Sequence, residues 1–164
     1  MSLRVEPLDD RHDRTAFECG VEPLDRYLRL QAIQDGRRRI ASSFVLVGWG
    51  TTPLAYYTLA AGSIALAALP NSLSKRLPRY PLLSATLLGR LAVDQRHSGH
   101  GFGEQMLMDA FARALRSEIA TYAIVVDATD EQTATFYRLH NFLPLTASGD
   151  RLFLPMAEIA RLFA

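Results

Sequence analysis

The strongest fold signal in the sequence is the stretch Leu91-Ala92-Val93-Asp94-Gln95-Arg96-His97-Ser98-Gly99-His100-Gly101-Phe102-Gly103-Glu104. An apolar run from Thr86 to Val93 precedes the glycines and predicts a buried strand. Apolar residues at helical spacing follow them and predict an amphipathic helix over residues 104–119. Glycines 99, 101 and 103 let backbone N–H groups point into one concavity beside the positive end of that helix. The stretch therefore predicts a turn that binds a pyrophosphate, with Arg96 as an added cation.

The rest of the chain predicts a mixed α/β protein. Short apolar or alternating runs predict strands at 3–8, 42–48, 54–59, 123–126, 142–145 and 152–154. Helical spacing predicts helices from Pro23 to about Gly36, over 130–140 and over 156–163. The Ala-rich run 60–69 fits either helix or strand, and 71–81 reads as a connection with at most one helical turn. With 164 residues, no repeat and no low-complexity linker, we expect one domain over 1–164.

The composition excludes several classes of protein. The single cysteine, Cys19, excludes an intramolecular disulfide framework and a cysteine zinc site, and no metal is expected. The weakly polar stretch 56–70 is too short to span a membrane. The first residues lack the apolar core of a signal peptide, so we expect a cytoplasmic protein.

Charge is distributed unevenly along the chain. The net charge of +1 divides into −3 over residues 1–35, +7 over 36–100 and −3 over 101–164. All of the basic residues except Lys75 are arginine, whose planar fork suits phosphate. The central segment therefore predicts a polyanionic partner, with a merely solvated basic face as the alternative.

The glycine spacing excludes two common nucleotide motifs. A Walker loop would continue with Lys-Ser or Lys-Thr, which is missing here. A Rossmann fingerprint needs G-x-G-x-x-G, whereas residues 99–103 read G-x-G-x-G.

Two motifs resemble the GNAT superfamily of N-acetyltransferases. Residues 96–101 resemble its acetyl-CoA pyrophosphate loop, and Phe136-Tyr137-Arg138-Leu139-His140-Asn141-Phe142 resembles its later F-Y-x-x-x-G-F helix. Asn141 replaces the usual glycine, but asparagine tolerates left-handed backbone angles. The resemblance implies a GNAT-like domain with a mostly antiparallel sheet, splayed between the strands Leu88–Val93 and Ala123–Val126, and helices on both faces. It also implies acetyl-CoA as the co-substrate.

The same resemblance assigns roles to individual residues. Tyr137 would donate a hydrogen bond or proton to the departing thiolate, and the backbones of Leu91 and Val93 would hold the pantetheine amides and polarise the acetyl carbonyl. No dedicated base is required, because part of an α-amine is already neutral at pH 7. The implied acetyl-CoA contacts are Leu91, Ala92, Val93, Arg96, Gly99, His100, Gly101, Phe102, Gly103, Glu104 and Phe136.

Three further stretches are similar to acetyltransferase toxins of type II toxin–antitoxin modules, the TacT and AtaT-like group. They are residues 17–28, 75–81 and 88–94. This similarity implies acetylation of the α-amine of aminoacyl-tRNA, a block of translation, and a small DNA-binding antitoxin as partner. The candidate tRNA contacts are Arg37, Arg38, Arg39, Lys75, Arg76, Arg79 and Arg90. The sequence leaves open whether the chain forms a homodimer.

Two other functions stay open at this stage. One is a GNAT enzyme acting on a small amine or a protein N-terminus, and the other is a non-catalytic acyl-CoA-binding module. Other reactive side chains read as structural. His97 and His100 are expected to be solvated loop residues, and Cys19 a packed side chain. Asp127 is expected at a strand end, and Asp130 at a helix N-cap.

Overall fold

Alternating apolar and β-branched runs pair into a sheet in the computed structural model, which describes residues 2–146 and 149–164. Its strands are β1 (Arg4–Pro7), β2 (Ser42–Val47), β3 (Ala55–Ala65), β4 (Leu82–Val93), β5 (Ala123–Asp127), β6 (Leu143–Pro144) and β7 (Arg151–Pro155). The seven strands follow the order β1-β2-β3-β4-β5-β7-β6. The β1–β2, β2–β3, β5–β7 and β6–β7 pairs are antiparallel, whereas β4 and β5 run parallel. The predicted mixed α/β fold with a mostly antiparallel sheet is confirmed.

Six α-helices accompany the strands within the described ranges. They are α1 (Glu22–Arg26), α2 (Ala32–Arg37), α3 (Asn71–Ser74), α4 (Phe102–Arg116), α5 (Glu131–Leu139) and α6 (Met156–Leu162). A π-helical turn at Tyr27–Gln31 joins α1 to α2, and 3₁₀ turns cover Leu66–Ala68 and Gln95–His97. No helix in the described part of the chain is both long enough and apolar enough to span a bilayer.

The described residues form two compact units, and neither is continuous in sequence. Unit 1 takes them from Met1–Ala60 and Gly89–Arg113, and unit 2 from Ala61–Leu88 and Ala114–Ala164. The boundaries fall inside β3, between Leu88 and Gly89 in β4, and inside α4 rather than in polar linkers. The expected single domain over 1–164 stays a prediction.

Each unit has its own hydrophobic core. The core of unit 1 contains buried side chains from the segment before α1, the π-helical turn, β2, β3 and β4. They include Phe17, Leu28, Val45, Tyr56 and Ala92. In unit 2, the core joins Ile64 of β3, Ala85 of β4, Val125 of β5 and Phe153 of β7. The parallel β4–β5 ladder pairs Ala85–Leu88 with Ala123–Val126, so its register ends at Leu88, where the predicted splay would begin.

Tertiary contacts extended several elements beyond the predicted bounds. The ambiguous run after residue 59 continues β3 to Ala65, beside β4 in the sheet. Gly62 lies so close to β4 there that a Cβ would come within 2.6 Å of Leu87 Cγ. Pairing with β4 in the sheet overrides the helix propensity of the alanines. The predicted Pro23 helix is interrupted by the π turn, in which the N–H of Ala32 donates to the carbonyl of Tyr27. Helical periodicity cannot reveal an i→i+5 turn, which shifts the register by only one residue.

Candidate functional site

The glycine stretch forms a tight turn between β4 and α4 in unit 1. Gly99 and Gly101 have φ of 81° and 75°, in the left-handed region where glycine avoids steric strain. The carbonyl of Gly101 accepts the first helical hydrogen bond, from the N–H of Gln105 at 3.0 Å. The helix therefore begins at Phe102, two residues before the predicted start, and it ends at Arg116. Gly103 consequently lies in the first turn of α4 rather than in the loop, which corrects its predicted place.

This turn presents a row of backbone donors. Five consecutive N–H groups have no acceptor within the described part of the chain: those of Gly99, His100, Gly101, Phe102 and Gly103. Free N–H groups at the positive end of a fifteen-residue helix favour an anion with several oxygens, such as a pyrophosphate. His100 is exposed beside the loop, with its ring 5.6 Å from the buried ring of Phe102. The turn therefore offers the backbone donors that the predicted phosphate site would use, and phosphate binding itself stays a prediction.

The carboxylate of Asp94 holds the start of the turn in place. Asp94 is fully buried at the end of β4, and it accepts hydrogen bonds from the N–H groups of Glu18 and Arg96. Arg96 adds Nε and Nη2, each 2.9 Å from one oxygen of Asp94. These donors lower the pKa of Asp94 to about 2, the side-chain hydrogen bond from Arg96 being the largest cause. Asp94 thus fixes the chain before the glycines.

Sequence reasoning missed this role of Asp94. The available signal was its position as the only acid between residues 36 and 100, directly before the glycine turn. Arg96 was predicted to contact phosphate. In this structure its guanidinium is bound to Asp94, and Nη2 also donates to the carbonyl of Ala16 at 3.1 Å. The phosphate contact of Arg96 stays a prediction.

The predicted pantetheine residues lie on the last part of β4. Leu91 and Val93 are half-buried, whereas Ala92 between them is buried in the unit 1 core. All three follow the last registered β4–β5 pair, Leu88 with Val126. Gly89 in the same strand is tightly packed, since a Cβ there would lie 3.0 Å from the Thr58 hydroxyl oxygen.

Tyr137 lies in α5 of unit 2, within a group of aromatic rings. Its ring centroid is 5.2 Å from those of Phe136 and Phe142. The hydroxyl has no hydrogen-bond partner among the described residues, and burial raises the pKa of Tyr137 above its ordinary value. The hydroxyl is therefore protonated at neutral pH and has its hydrogen available for donation.

Both ends of α5 are capped as predicted. Asp130 accepts a hydrogen bond from the N–H of Thr133 at 2.7 Å, which makes it the N-cap. At the other end, Asn141 has φ of 73°, and the N–H of Phe142 donates to the carbonyl of Tyr137. This is a Schellman motif with asparagine in the position that usually holds glycine. The backbone carrying Tyr137 is thus fixed at both ends.

The candidate tRNA contacts are found in both units. Arg37, Arg38 and Arg39 are exposed at and after the end of α2, and Arg37 pairs with Asp10 at 2.7 Å. Arg90 of β4 is half-buried, with its guanidinium carbon 3.4 Å from the centroid of the Tyr27 ring. Lys75, Arg76 and Arg79 are exposed in unit 2, and none of them forms an ion pair with another described residue.

Two further reactive groups take structural positions. Burial raises the pKa of the Cys19 thiol to about 11, and Sγ lies 3.6 Å from the carbonyl of Val21, so it is a poor nucleophile. Asp127 ends β5 as predicted. Across the described residues, no three side chains of the metal-ligating types come together.

Comparison with known proteins places this geometry in a family. No family model matches the chain. A probable toxin TacT from Sinorhizobium fredii is 30% identical over 96% of this chain and 93% of its own length. A tRNA-acetylating toxin from Mycobacterium tuberculosis is 33% identical over 79% of this chain and 78% of its own length.

Three solved structures resemble the chain over nearly its whole length. AtaT complexed with acetyl-methionyl-tRNAfMet has a TM-score of 0.89 and 30% identity, covering 99% of this chain and 100% of that one. A tyrosine-to-phenylalanine mutant of KacT has a TM-score of 0.92 and 27% identity, with coverage of 99% and 100%. AtaT with a tyrosine-to-phenylalanine mutation, bound to acetyl-CoA and the C-terminus of the antitoxin AtaR, has a TM-score of 0.80 and 26% identity, with coverage of 99% and 98%.

The fold and the glycine turn together define a GNAT-type N-acetyltransferase. The likeness extends to the N-terminal segment and to the connection before β4, which lie outside the turn itself. Within that class, the chain belongs to the TacT family of toxins.

Proposed function

We propose that this protein is an acetyl-CoA-dependent toxin that acetylates the α-amine of an aminoacyl-tRNA and so blocks translation. The carrying observation is the row of N–H groups over residues 99–103, which have no acceptor among the described residues and begin six residues after the end of the strand predicted to bind pantetheine. The proposal is supported by the relative named a tRNA-acetylating toxin and by the neighbour AtaT, solved with acetyl-methionyl-tRNA. A small-amine acetyltransferase has weaker support, because its cationic substrate would meet a central segment with seven excess positive charges.

In this proposal, unit 1 binds most of acetyl-CoA. The N–H groups of residues 99–103 bind the pyrophosphate, with Glu104 following in the first turn of α4. The backbones of Leu91, Ala92 and Val93 bind the pantetheine amides and polarise the acetyl carbonyl. Arg96 acts first through Asp94, since that pair fixes the chain leading into the turn. His100 and Phe102 border the turn. Phe136 stays a predicted acetyl-CoA contact, as the family resemblance implies.

The chemical step needs one donor and no dedicated base. The neutral α-amine attacks the thioester carbon, the C–N bond forms, and the C–S bond then breaks to release a thiolate. The attacking nitrogen loses a proton to water and the thiolate gains one, so N-acetyl-aminoacyl-tRNA and CoA leave with protons balanced. A tyrosine of raised pKa is a weaker acid than a thiol, whose pKa is near 8.5. Tyr137 is therefore proposed to stabilise the thiolate by hydrogen bonding rather than by complete proton transfer.

The acceptor is proposed to be held by its phosphates. Arginine and lysine contacts to phosphate give salt-dependent affinity with little choice of sequence. The candidates are Arg37, Arg38, Arg39, Lys75, Arg76, Arg79 and Arg90. Lys75, Arg76 and Arg79 pair with no acid among the described residues, so their charges are available to phosphate. Arg37 must first leave Asp10. Arg90 must either leave the Tyr27 ring or bind phosphate while stacked on it.

Two further assignments follow from the same proposal. An antitoxin partner is supported by the AtaT structure with the C-terminus of AtaR. A cytoplasmic location is proposed because charged tRNA is a cytoplasmic substrate.

The direct test is incubation with labelled acetyl-CoA and total charged tRNA, beside uncharged tRNA and free amino acids. We expect label on the charged tRNA alone, released with the amino acid on mild deacylation. Equal labelling of free amino acids or small amines would favour the small-amine enzyme. Binding of acetyl-CoA with no transfer to any of these would favour a non-catalytic module.

A further inference from the structure

The connection between α3 and β4 carries an exposed aromatic ring within five residues, in sequence, of three cations that form no ion pair with another described residue. Tyr80 has 64% of its surface exposed, and no described residue contacts its ring as an aromatic pair or hydrogen-bonds with its hydroxyl. Lys75, Arg76 and Arg79 precede it in sequence and are also exposed. Burial cannot explain a tyrosine in this position, since the side chain packs on neither core.

The backbone that presents Tyr80 is held firmly. Leu73 and Leu77 pack against the core of unit 2 on the same connection that exposes the cations. Pro78 and Pro81 flank the tyrosine closely and restrict the backbone. The carbonyl of Pro81 accepts a hydrogen bond from the N–H of Leu66 at 3.0 Å. The ring is therefore presented on a restrained segment, so binding it costs less conformational entropy than binding a free loop.

The chemistry around Tyr80 selects the kind of partner. Residues 36–93 contain no acid, so every charged side chain on this connection and beside it in sequence is a cation. A ligand that satisfies both features carries phosphates at close spacing and flat rings that are free to stack. Unpaired nucleotides fit this description, whereas the bases of a duplex already stack on one another.

We propose that Tyr80 is a stacking platform for an unpaired base of the RNA substrate, held there by phosphate contacts from Lys75, Arg76 and Arg79. This inference rests on the proposed tRNA substrate and adds a base contact to its phosphate contacts. It also locates a single-stranded part of the RNA at the α3–β4 connection of unit 2. An acidic peptide is the other kind of ligand that a cationic surface attracts, and it becomes an outcome of the test.

The first experiment measures KM for charged tRNA in Tyr80→Ala, Tyr80→Leu and Tyr80→Phe. Loss of one stacked base should raise KM roughly 5- to 100-fold in the alanine and leucine variants, because leucine keeps apolar area without a flat ring. Phenylalanine keeps the ring and should rescue the affinity. Trp49→Ala is the matched control, since Trp49 is an 84% exposed aromatic in a turn whose own residues, 48–53, include no lysine or arginine, and its KM should match wild type. Unchanged melting temperatures would show that all four variants fold.

The second experiment separates this inference from the proposed function. Binding of a short single-stranded RNA, a blunt duplex of equal length and a poly-glutamate peptide is measured without any acetyl transfer. We expect wild type to prefer the single strand and Tyr80→Ala to lose that preference, whether or not charged tRNA proves to be the substrate. A wild-type KM for Tyr80→Ala, a failed rescue by Tyr80→Phe, or an effect confined to poly-glutamate would each overturn the stacking role. Failure of wild type to acetylate charged tRNA, with the single-strand preference intact, would instead overturn the proposed function alone.

Discussion

Arg96 forms a bidentate ion pair with Asp94, in which Nε and Nη2 each lie 2.9 Å from a different carboxylate oxygen. The pair joins β4 to the glycine turn, and it also ties in the N-terminal segment through Glu18 and Ala16. Arg96, which the sequence predicts to contact the pyrophosphate, thus holds the glycine turn in place through Asp94. Because the pair is bidentate and Asp94 is fully buried, it should contribute more to stability than an ordinary surface ion pair does.

Asp94→Asn should lower the stability of the protein and flatten its dependence on acid pH. The folded pKa of about 2 lies below the ordinary value of 3.8, so the folded state binds fewer protons than the unfolded state. The stabilisation is complete above about pH 4 to 5 and is lost as pH falls toward 2; a shift of this size corresponds to about 2 kcal/mol. Urea unfolding of the wild type and of Asp94→Asn at pH 6 and pH 3 measures this difference in the free energy of unfolding. Asp10→Asn is the control, because its exposed pair with Arg37 should contribute under about 1 kcal/mol. Equal losses in both variants would contradict the role given to Asp94.

Gly101→Asp should abolish tight acetyl-CoA binding, whereas Gly101→Asn should weaken it far less. Aspartate and asparagine both tolerate the φ of 75° at this position, and a Cβ there meets no atom within 4 Å. The two variants therefore differ mainly in one negative charge beside the proposed pyrophosphate site. At close range that repulsion should cost at least about tenfold in Kd. Titration calorimetry with acetyl-CoA gives both values, and similar affinities for the two variants would exclude this turn as the phosphate site.

Tyr137→Phe should reduce turnover while leaving acetyl-CoA affinity nearly intact. The substitution keeps the ring contacts with Phe136 and Phe142 and removes only the hydroxyl. Losing one transition-state hydrogen bond predicts a fall in rate of roughly 10- to 1,000-fold. Single-turnover acetylation of charged tRNA measures the step directly. A wild-type rate would make Tyr137 a packing residue.

Replacing Lys75 and Arg76 together by Ala should lower the rate of acetylation of charged tRNA and leave the affinity for acetyl-CoA unchanged. Each lost phosphate contact should flatten the log–log salt dependence by about 0.7–0.9 units. Initial rates from about 50 to 200 mM salt measure the slope. The control replaces Arg26 and Arg161 by Ala, which removes the same charge from arginines paired with a glutamate on their own helix. If both double variants have the same slope, the effect is general charge rather than a tRNA contact.

Arg39→Gly should stabilise the protein and reduce its activity on tRNA. Arg39 ends α2 in a Schellman motif: its N–H donates to Gly36, and the N–H of Ile40 donates to Asp35. Its φ of 59° is strained for arginine, whereas Asn141 fills the matching position after α5 with a tolerant residue. Relieving the strain should add about 1 kcal/mol, or roughly 2–4 °C in Tm.

Arg38→Gly provides the matched comparison for that prediction. It removes the same charge, but Arg38 has a helical φ of −84°, so glycine there gains nothing and costs conformational entropy. We expect Arg38→Gly to lower Tm and Arg39→Gly to raise it, with both variants losing activity on charged tRNA. A lower Tm for Arg39→Gly would show that arginine is not strained at this position.

Local sequence signals were sufficient to predict most helices and strands and the tight turn between β4 and α4. Glycine spacing after an apolar run specifies a turn, because positive φ at residues 99 and 101 is a local requirement. The α5 caps are similarly local, since Asp130 and Asn141 act within a few residues of themselves. Strand extension at β3 was not predictable, because the alanines favour helix locally and only the neighbouring strand β4, which follows later in the sequence, pairs this segment into the sheet.

By itself, the sequence determined the mixed α/β class, the glycine turn between β4 and α4 and the basic middle segment, all of which are encoded in short-range spacing and composition. Tertiary structure decided how the charged side chains are used. It placed Arg96 on buried Asp94, stacked Arg90 on Tyr27, and left Lys75, Arg76 and Arg79 exposed without an ion pair to another described residue. The physical reason is that a formal charge can be counted from sequence, whereas its availability depends on the acids and rings that folding brings within hydrogen-bonding and contact distance.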